Sequence, residues 1–358
     1  MSLPFVPASG PTLAPISAPA PEADPAGNIR AQTPIAIAKA IAMAYQLRGL
    51  SPNDALAAAQ IAPSMLETST GFITSLQMEV LSACAMRELD DEALGWFSRR
   101  LPWGSYGMLV RASMGASTIG LAMRRWCRHH GLLTDDIALA VRVSDGVARL
   151  ELTEQRDLGA LRELCVVSVL RNALGVACWL ADSRIPLLHT TLRYAPPAHH
   201  KSYRILFDGP CSFNANANCI SFDAGYLALP LRRDEAALQR MLQRALLLTV
   251  RPYRRDRLLI ERVRQALQAF PQLSHNADSL AVHLNLSART LHRQLKEEGS
   301  SLQQIKDQVR RDLACDQLLR SARAIKQIAE AVGFRSEKSF IRAFKAWTGT
   351  TPDAYRRN

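Results

Sequence analysis

The 358-residue chain reads as an α+β N-terminal domain of helices and short strands, followed by an all-α C-terminal domain of two helix-turn-helix units joined by a long helix. Three observations lead there. Between Asn276 and Arg356 one structural unit is written twice. The stretch between the copies, Ser301 to Ser321, keeps helical apolar periodicity from end to end. From Ile137 the pattern changes to short alternating runs bounded by Gly, Pro and Asn, the texture of strands. The expected divisions are a Pro/Ala-rich flexible tail over 1–33, an N-terminal domain over 34–250 and a C-terminal domain over 251–358.

The duplication is close in register. Leu280, Ala281, Leu284 and Leu286 recur 48 residues on as Ile328, Ala329, Val332 and Phe334, and Leu291, Arg293, Leu295 and Lys296 recur 49 on as Phe340, Arg342, Phe344 and Lys345. Each copy closes with a Gly and two hydroxyls, Gly299-Ser300-Ser301 and Gly349-Thr350-Thr351. In the first copy Ala277 to Leu284 reads as a supporting helix, and Ser287 as the N-cap of a second helix over Ala288 to Glu297, with Leu286 and Leu291 spaced as a hydrophobic staple. In the second copy Ile325 to Val332 supports, Gly333 supplies the turn, and Ser336 caps a helix running to about Trp347. A repeat of helix, tight turn and helix is one supersecondary unit used twice, and its second helix has the form that enters a major groove.

Both second helices carry cations opposite their core stripe. Arg289, His292, Arg293 and Lys296 share one side of the first, away from Leu291 and Leu295. Glu337, Lys338, Ser339 and Arg342 face outward around Phe340 and Phe344 in the second. Arg and Lys bond guanine O6 and N7 or phosphate, whereas Glu337 only accepts, for example from cytosine N4. Ordinary solvated charge is the competing account for either helix alone; the matched Arg293 and Arg342 of a duplicated unit weigh against it. The connector is expected as one helix of about 19 residues, roughly 28 Å long, close to the ~34 Å between successive major-groove faces.

These residues carry a resemblance. LAVHLNLSARTLHRQLKEEGSS and IKQIAEAVGFRSEKSFIRAFKAWTGTTPDAYRR resemble the DNA-binding domain of the AraC/XylS transcriptional regulators. The second stretch is the more specific, with Gly333-Phe334, Ser339, Phe340, Arg342, Phe344, Lys345, Gly349, Pro352, Tyr355 and Arg356 on that family's signature. Leu295 departs from the usual Phe, a core exchange. The resemblance implies base-contacting roles for Arg289, His292, Arg293, Glu337, Lys338 and Arg342.

Charge agrees with that placement. From Arg251 to the end, 21 Lys and Arg face 11 Asp and Glu, a surplus of +10 out of a total of +12. A polyanion partner is therefore expected at the C-terminal end alone. Seven scattered cysteines, none in a C-x-x-C pair, argue for a reducing cytoplasm and against structural zinc or a disulfide framework. The longest apolar run, Val166 to Ala181, is broken by Arg171 and Asn172 and falls short of the ~20 residues of a membrane span. The first 34 residues hold eight of the 19 prolines and a single cation, Arg30, unlike a signal peptide.

In chain order, Thr33 to Arg48 reads as a helix, and Ser51-Pro52-Asn53-Asp54 opens another by capping and an early proline. Helices follow over Thr74 to Glu88, then, past acidic Asp90-Asp91-Glu92, over most of Ser105 to His130. His129 and His130 are adjacent, so they point ~100° apart on a helix and suit one metal site poorly. IALAVRV and VARLEL around Asp145-Gly146 read as a hairpin. A long buried helix over Leu158 to Ala181 precedes short strands at Leu188 to Tyr194, Arg204 to Phe207, Ser212 to Asn214 and Cys219 to Phe222. Arg233 to Val250 is helical, and Arg251 to Arg257 forms an Arg-rich joint.

GLAMRRWCRHHGLLTDD and RYAPPAHHKSYRILFDGPCSFNANANCISFDAGYLALPL resemble the arabinose-binding-like N-terminal domain of the ornithine- and virulence-regulator branch of the same family. That resemblance implies effector sensing or association. A ligand-binding loop is one expectation at His200, Lys201, Tyr203 and Arg204, beside His199, where a carboxylate or acyl head group would bind, and a solvated loop or interface rim is the other. The leading expectation is a cytoplasmic sequence-specific regulator of promoter DNA, an activator recruiting RNA polymerase, with a small-molecule effector and possible homodimerisation; the alternative is a ligand-independent regulator whose N-terminal domain only dimerises or binds a protein partner. No cofactor is expected, and no enzyme: Pro210-Cys211-Ser212 lacks the His of a DNA-repair methyltransferase nucleophile, and no P-loop, dinucleotide, H-E-x-x-H or G-x-S-x-G motif occurs.

Overall fold

The computed structural model describes residues 32–68, 71–242 and 256–357. The tail up to residue 31, the end of the helix read over Arg233 to Val250 and most of the joint Arg251 to Arg257 lie outside them.

The N-terminal part begins with an element too short to read in the sequence. Strand β1 (Gln32–Pro34) pairs antiparallel with β2 (Phe72–Thr74), and each leads directly into a helix, α1 (Ile35–Gln46) and α3 (Ser75–Glu88). Thr74 and Gln77 close α3 with a reciprocal capping box. The second helix, α2 (Asn53–Ala58), starts one residue later than its capping signal, with Pro52 itself at the N-cap and Ser51 Oγ accepting from the Asn53 amide. The helical region after it divides into α4 (Ser105–Met114) and α5 (Ile119–His130), broken around Gly115.

The hairpin forms as read: β3 (Ile137–Ser144) and β4 (Val147–Glu154) turn at Asp145 and Gly146, both at positive φ, as the twist of a two-residue turn requires. They belong to a five-stranded sheet ordered β3-β4-β7-β5-β6, where β5 is Leu187–Thr191, β6 Cys211–Ser212 and β7 Asn218–Asp223. Only the β5–β6 pair is parallel. Helix α6 (Arg162–Ala181) packs on β4 and β7, and this burial accounts for the longest apolar run of the sequence. Helix α8 (Glu235–Leu242) is the last described element of this half.

The strand expected over Arg204 to Phe207 is instead a helical turn, α7 (Tyr203–Leu206). Its buried residues are Tyr203, Leu206 and Phe207, spaced i, i+3, i+4, while Ile205 is 44% exposed; strand alternation would have buried the wrong side chains. Tyr203 also stacks on His199 and Phe207, one helical turn to either side.

The C-terminal part is all helical: α9 (Leu258–Ala269), α10 (Ala277–His283), α11 (Ala288–Glu297), α12 (Leu302–Arg320), α13 (Ile325–Ala331), α14 (Glu337–Thr348) and α15 (Pro352–Arg357). Three cores hold the described chain. One runs from Ile35 to Met241; a second joins α9, α10, α11 and the first half of α12; a third joins the second half of α12 to α13 and α14.

Candidate nucleic-acid interface

Each half of the C-terminal domain positions one helix for reading. Ser287 Oγ accepts from the Thr290 amide and starts α11; Ser336 Oγ accepts from the Ser339 amide and starts α14. Both caps fall where the sequence put them, because an N-cap acts within its own turn. Leu291 and Leu295 pin α11, and Phe340 and Phe344 pin α14, all fully buried. With that stripe fixed, Arg289, His292, Arg293 and Lys296 emerge exposed from α11, and Glu337, Lys338 and Arg342 from α14. Each predicted set thus shares one exposed face of its own helix. Arg293 rests on Glu297 one turn on, at 3.0 Å and with both side chains mostly exposed. An exposed pair of this kind is worth ~0.3–0.5 kcal/mol, so a phosphate or base edge displaces it readily.

The turns before the reading helices are made differently in the two copies. Gly333 has φ +84°, and a Cβ there would lie 3.0 Å from Ser274 Oγ. The equivalent residue of the first copy is Asn285, at φ 57°, one of the few side chains that tolerate this region.

A cation of the connecting helix ties the two units together. Arg310, on α12, donates to Ser274 Oγ at 2.8 Å and to the Gly333 carbonyl at 3.1 Å, and lies over the Phe334 ring. Ser274 precedes the first unit and Gly333 is the turn of the second. Leu313 of the same helix packs against both C-terminal cores. Helix α12 has the expected 19 residues and is closed by a Ser301–Gln304 capping box, so the connector is a rigid strut clamped at its middle.

The loop expected to bind a ligand does not converge on a site. His200, Lys201 and Arg204 are exposed, whereas Tyr203 is fully buried and donates to Glu163 at 2.5 Å. His199 is also held by Glu163, at 2.6 Å. Of these, Arg204 alone borders an open depression beside Asp208 and Cys211. Among the described residues no group of His, Cys, Asp and Glu has metal-binding geometry, and His130 is buried with its pKa pushed down to about 4.

An all-helical double reader behind a mixed α+β domain defines a class of DNA-binding transcription regulator. The sequence matches the family "Arabinose-binding domain of AraC transcription regulator, N-term" over residues 49–231 and a helix-turn-helix domain family over residues 280–358. The chain belongs to the AraC family of transcription regulators. It is 28% identical to the ornithine utilization regulator of Pseudomonas aeruginosa, over 90% of this chain and 96% of that one. An HTH-type transcriptional regulator of Mycobacterium tuberculosis is 24% identical over 87% of this chain and 92% of its own. The crystal structure of the Pseudomonas aeruginosa transcriptional regulator CdpR covers 88% of this chain and 98% of its own at 21% identity, with a TM-score of 0.33, too low to bear on the arrangement of the parts.

Proposed function

We propose that this regulator is a cytoplasmic activator that sets its two helix-turn-helix units in adjacent major grooves of promoter DNA, contacts RNA polymerase, and is modulated by a small-molecule effector acting on an N-terminal domain over 34–250. The observation that carries the reading is the pair of exposed cationic helix faces on one clamped strut, in a domain over 251–358 that holds nearly all the net positive charge. Arg289, Arg293, Lys338 and Arg342 read base edges, His292 from the middle of α11 and Glu337 from the start of α14 add base contacts, and Lys296 pairs with phosphate. Association into a homodimer belongs to the N-terminal domain in this reading.

Footprinting of the purified chain on promoters recovered by genome-wide immunoprecipitation tests it. The expected result is a protected motif repeated one helical turn apart. Arg293→Ala and Arg342→Ala each weaken that site by ~1–3 kcal/mol while leaving random-sequence DNA little changed. Equal loss on random DNA would remove the base-reading roles, and motif-free binding explained by salt alone would remove the regulator's specificity.

A further inference from the structure

Helix α5 carries arginines that the reading of the DNA interface leaves without a role. Arg124 and Arg128 stand exposed one turn apart, and the helix holds no acid from Ile119 to His130. Among the described residues neither side chain has a carboxylate or hydrogen-bond partner. Other arginines of the same half are paired with carboxylates, as Arg48 with Asp91, Arg111 with Glu235 and Arg162 with Glu154. The C-terminal dipole of α5 accounts for a cation at Arg128, in the last turn, but not for Arg124 in the middle. With +10 of the total +12 in the C-terminal part, the small remainder averages over this face.

The position of α5 ties the face to the reader. The Ile119 amide donates to the Leu229 carbonyl at 2.9 Å, and Gly120 meets the short turn Ala224–Ala228 so closely that a Cβ would stand 3.0 Å from the Leu227 carbonyl. The Arg124 guanidinium lies at the same corner, 3.7 Å from that Cβ position. The turn also touches the C-terminal part: Gly225 packs on Leu258, the first residue of α9, and Tyr226 donates to Asp256 at 2.5 Å. Glu298, at the end of α11, in turn takes the Leu259 and Ile260 amides. Arg232, just past the turn, is exposed as well; partial burial and the like charges of Arg264 and Arg257 pull its pKa below the usual guanidinium value, against Glu261 and Asp182. Asp223, the acid at the head of the turn, is taken up by the Gly225 amide at 2.7 Å.

We infer that Arg124 and Arg128 of α5 form a third DNA contact, gripping backbone phosphates of the operator flank beside the groove read by α11. The inference goes beyond the two-groove reading above and rests on it. Phosphate contacts fix position without reading sequence, which suits a face made of cations alone. The two residues stand ~6 Å apart along the helix, close to two phosphate steps of ~3.4 Å on one strand. A guanidinium with no carboxylate to give up takes phosphate without first breaking a pair, unlike Arg293, which rests on Glu297.

Binding of the full chain to a duplex bearing the two-groove motif with one helical turn of flank at each end tests the inference, across a salt series and against the same duplex trimmed at either end. The double variant Arg124→Gln with Arg128→Gln is expected to bind the flanked duplex about 10-fold more weakly at low salt, with a salt slope shallower by ~1.8, two contacts at ~0.9 each. On the duplex that lacks one of the two flanks it matches the parent. Arg124→Lys with Arg128→Lys keeps both charges and the parent's slope, and hydroxyl-radical protection of that flank disappears only in the Gln variant. Lys201→Gln with Arg204→Gln removes the same charge from another exposed part of the domain and serves as the control; circular dichroism reports that all variants are folded. The inference is overturned if the Gln variant keeps the parent's slope, if it loses as much on both trimmed duplexes, or if the control loses as much. Intact DNA binding with lost promoter activity also overturns it and gives the face to an acidic protein. Specific binding that ignores the flanks removes this contact alone, whereas a parent that binds without a motif removes the two-groove reading and this contact with it.

Discussion

Glu298 carries its carboxylate into a buried corner at the end of α11, where it accepts from the Leu259 and Ile260 amides at 3.3 and 2.9 Å. Burial pushes its pKa up to about 7 from an ordinary 4.5, and the two amide bonds only partly oppose that. The folded state therefore holds this proton more tightly than the unfolded chain does. Its contribution to stability is fully present below about pH 4.5 and is lost as pH rises through about 7. His130, buried in the other half, works in the opposite sense: its pKa falls from 6.5 to about 4, so its contribution is present above pH 6.5 and is lost on acidification through 4. The two windows overlap, and the net pH profile of the parent hides both. A difference experiment exposes one. Glu298→Gln keeps an acceptor oxygen but does not titrate, so urea unfolding at pH 5 and pH 8 should show a parent-minus-variant difference on the order of 2 kcal/mol. Parallel profiles would show that Glu298 titrates normally in the fold.

At the scale of elements, the clamp on α12 matters more than any one capping residue. Arg310→Met keeps an apolar side chain of similar reach and deletes the donors to Ser274 and Gly333 together with the guanidinium over Phe334. The two reading heads then keep their own cores but lose part of their fixed relation, which lowers the effective concentration of the second head once the first is bound. Affinity for a two-groove site should fall about 10-fold, ~1.4 kcal/mol, while a single-groove half-site is bound as before; mobility shifts on the two DNAs measure both, and an equal loss on each would refute the clamp. The legibility of the fold follows the same division between local and distant causes. Ser287, Ser301 and Ser336 announce their helices because each caps a turn it adjoins. Helix α9 was not legible, since its N-cap residue Arg257 gives no side-chain cap and its first amides are satisfied by Glu298, far along the chain. Helix α4 is likewise started by Glu92 from 12 and 14 residues away. Its neighbour Asp91, seen in the sequence only as part of an acidic run, is fully buried, pairs with Arg48 and accepts from the Ala93, Gly95 and Leu101 amides. The exposed face of each reading helix followed from periodicity alone, whereas the corner that holds Arg124 required α5 and the turn Ala224–Ala228 to be brought together.

For the whole molecule, the contacts that matter are those between the N-terminal core and the first helix-turn-helix unit. Asp182 caps the C-terminus of α6 in the left-handed region and receives Arg233 at 2.6 Å and Arg257 at 2.5 Å. Arg257 adds bonds to the Asp182 carbonyl and to Ser183, and its neighbour Asp256 accepts from Tyr226 at 2.5 Å. From Arg257 the chain enters α9, whose first amides end on Glu298 of the first unit. Two sets of hydrogen bonds, Asp182 with Arg257 and Glu298 with the Leu259 and Ile260 amides, thus stand at either end of a short backbone segment between α6 and the end of α11. Because the C-terminal domain has two cores of its own, breaking the Asp182 set should loosen the coupling without unfolding the reader. In Asp182→Asn the side chain is neutral, and charge-assisted bonds worth on the order of 1–3 kcal/mol are weakened together. The expected result in calorimetry is that the two halves unfold at more widely separated temperatures than in the parent, with operator affinity kept within about 2-fold, a change under ~0.5 kcal/mol. If the variant instead melts as the parent does, the two halves are joined by contacts other than Asp182; if operator affinity collapses with it, Asp182 supports the reader's fold rather than its attachment.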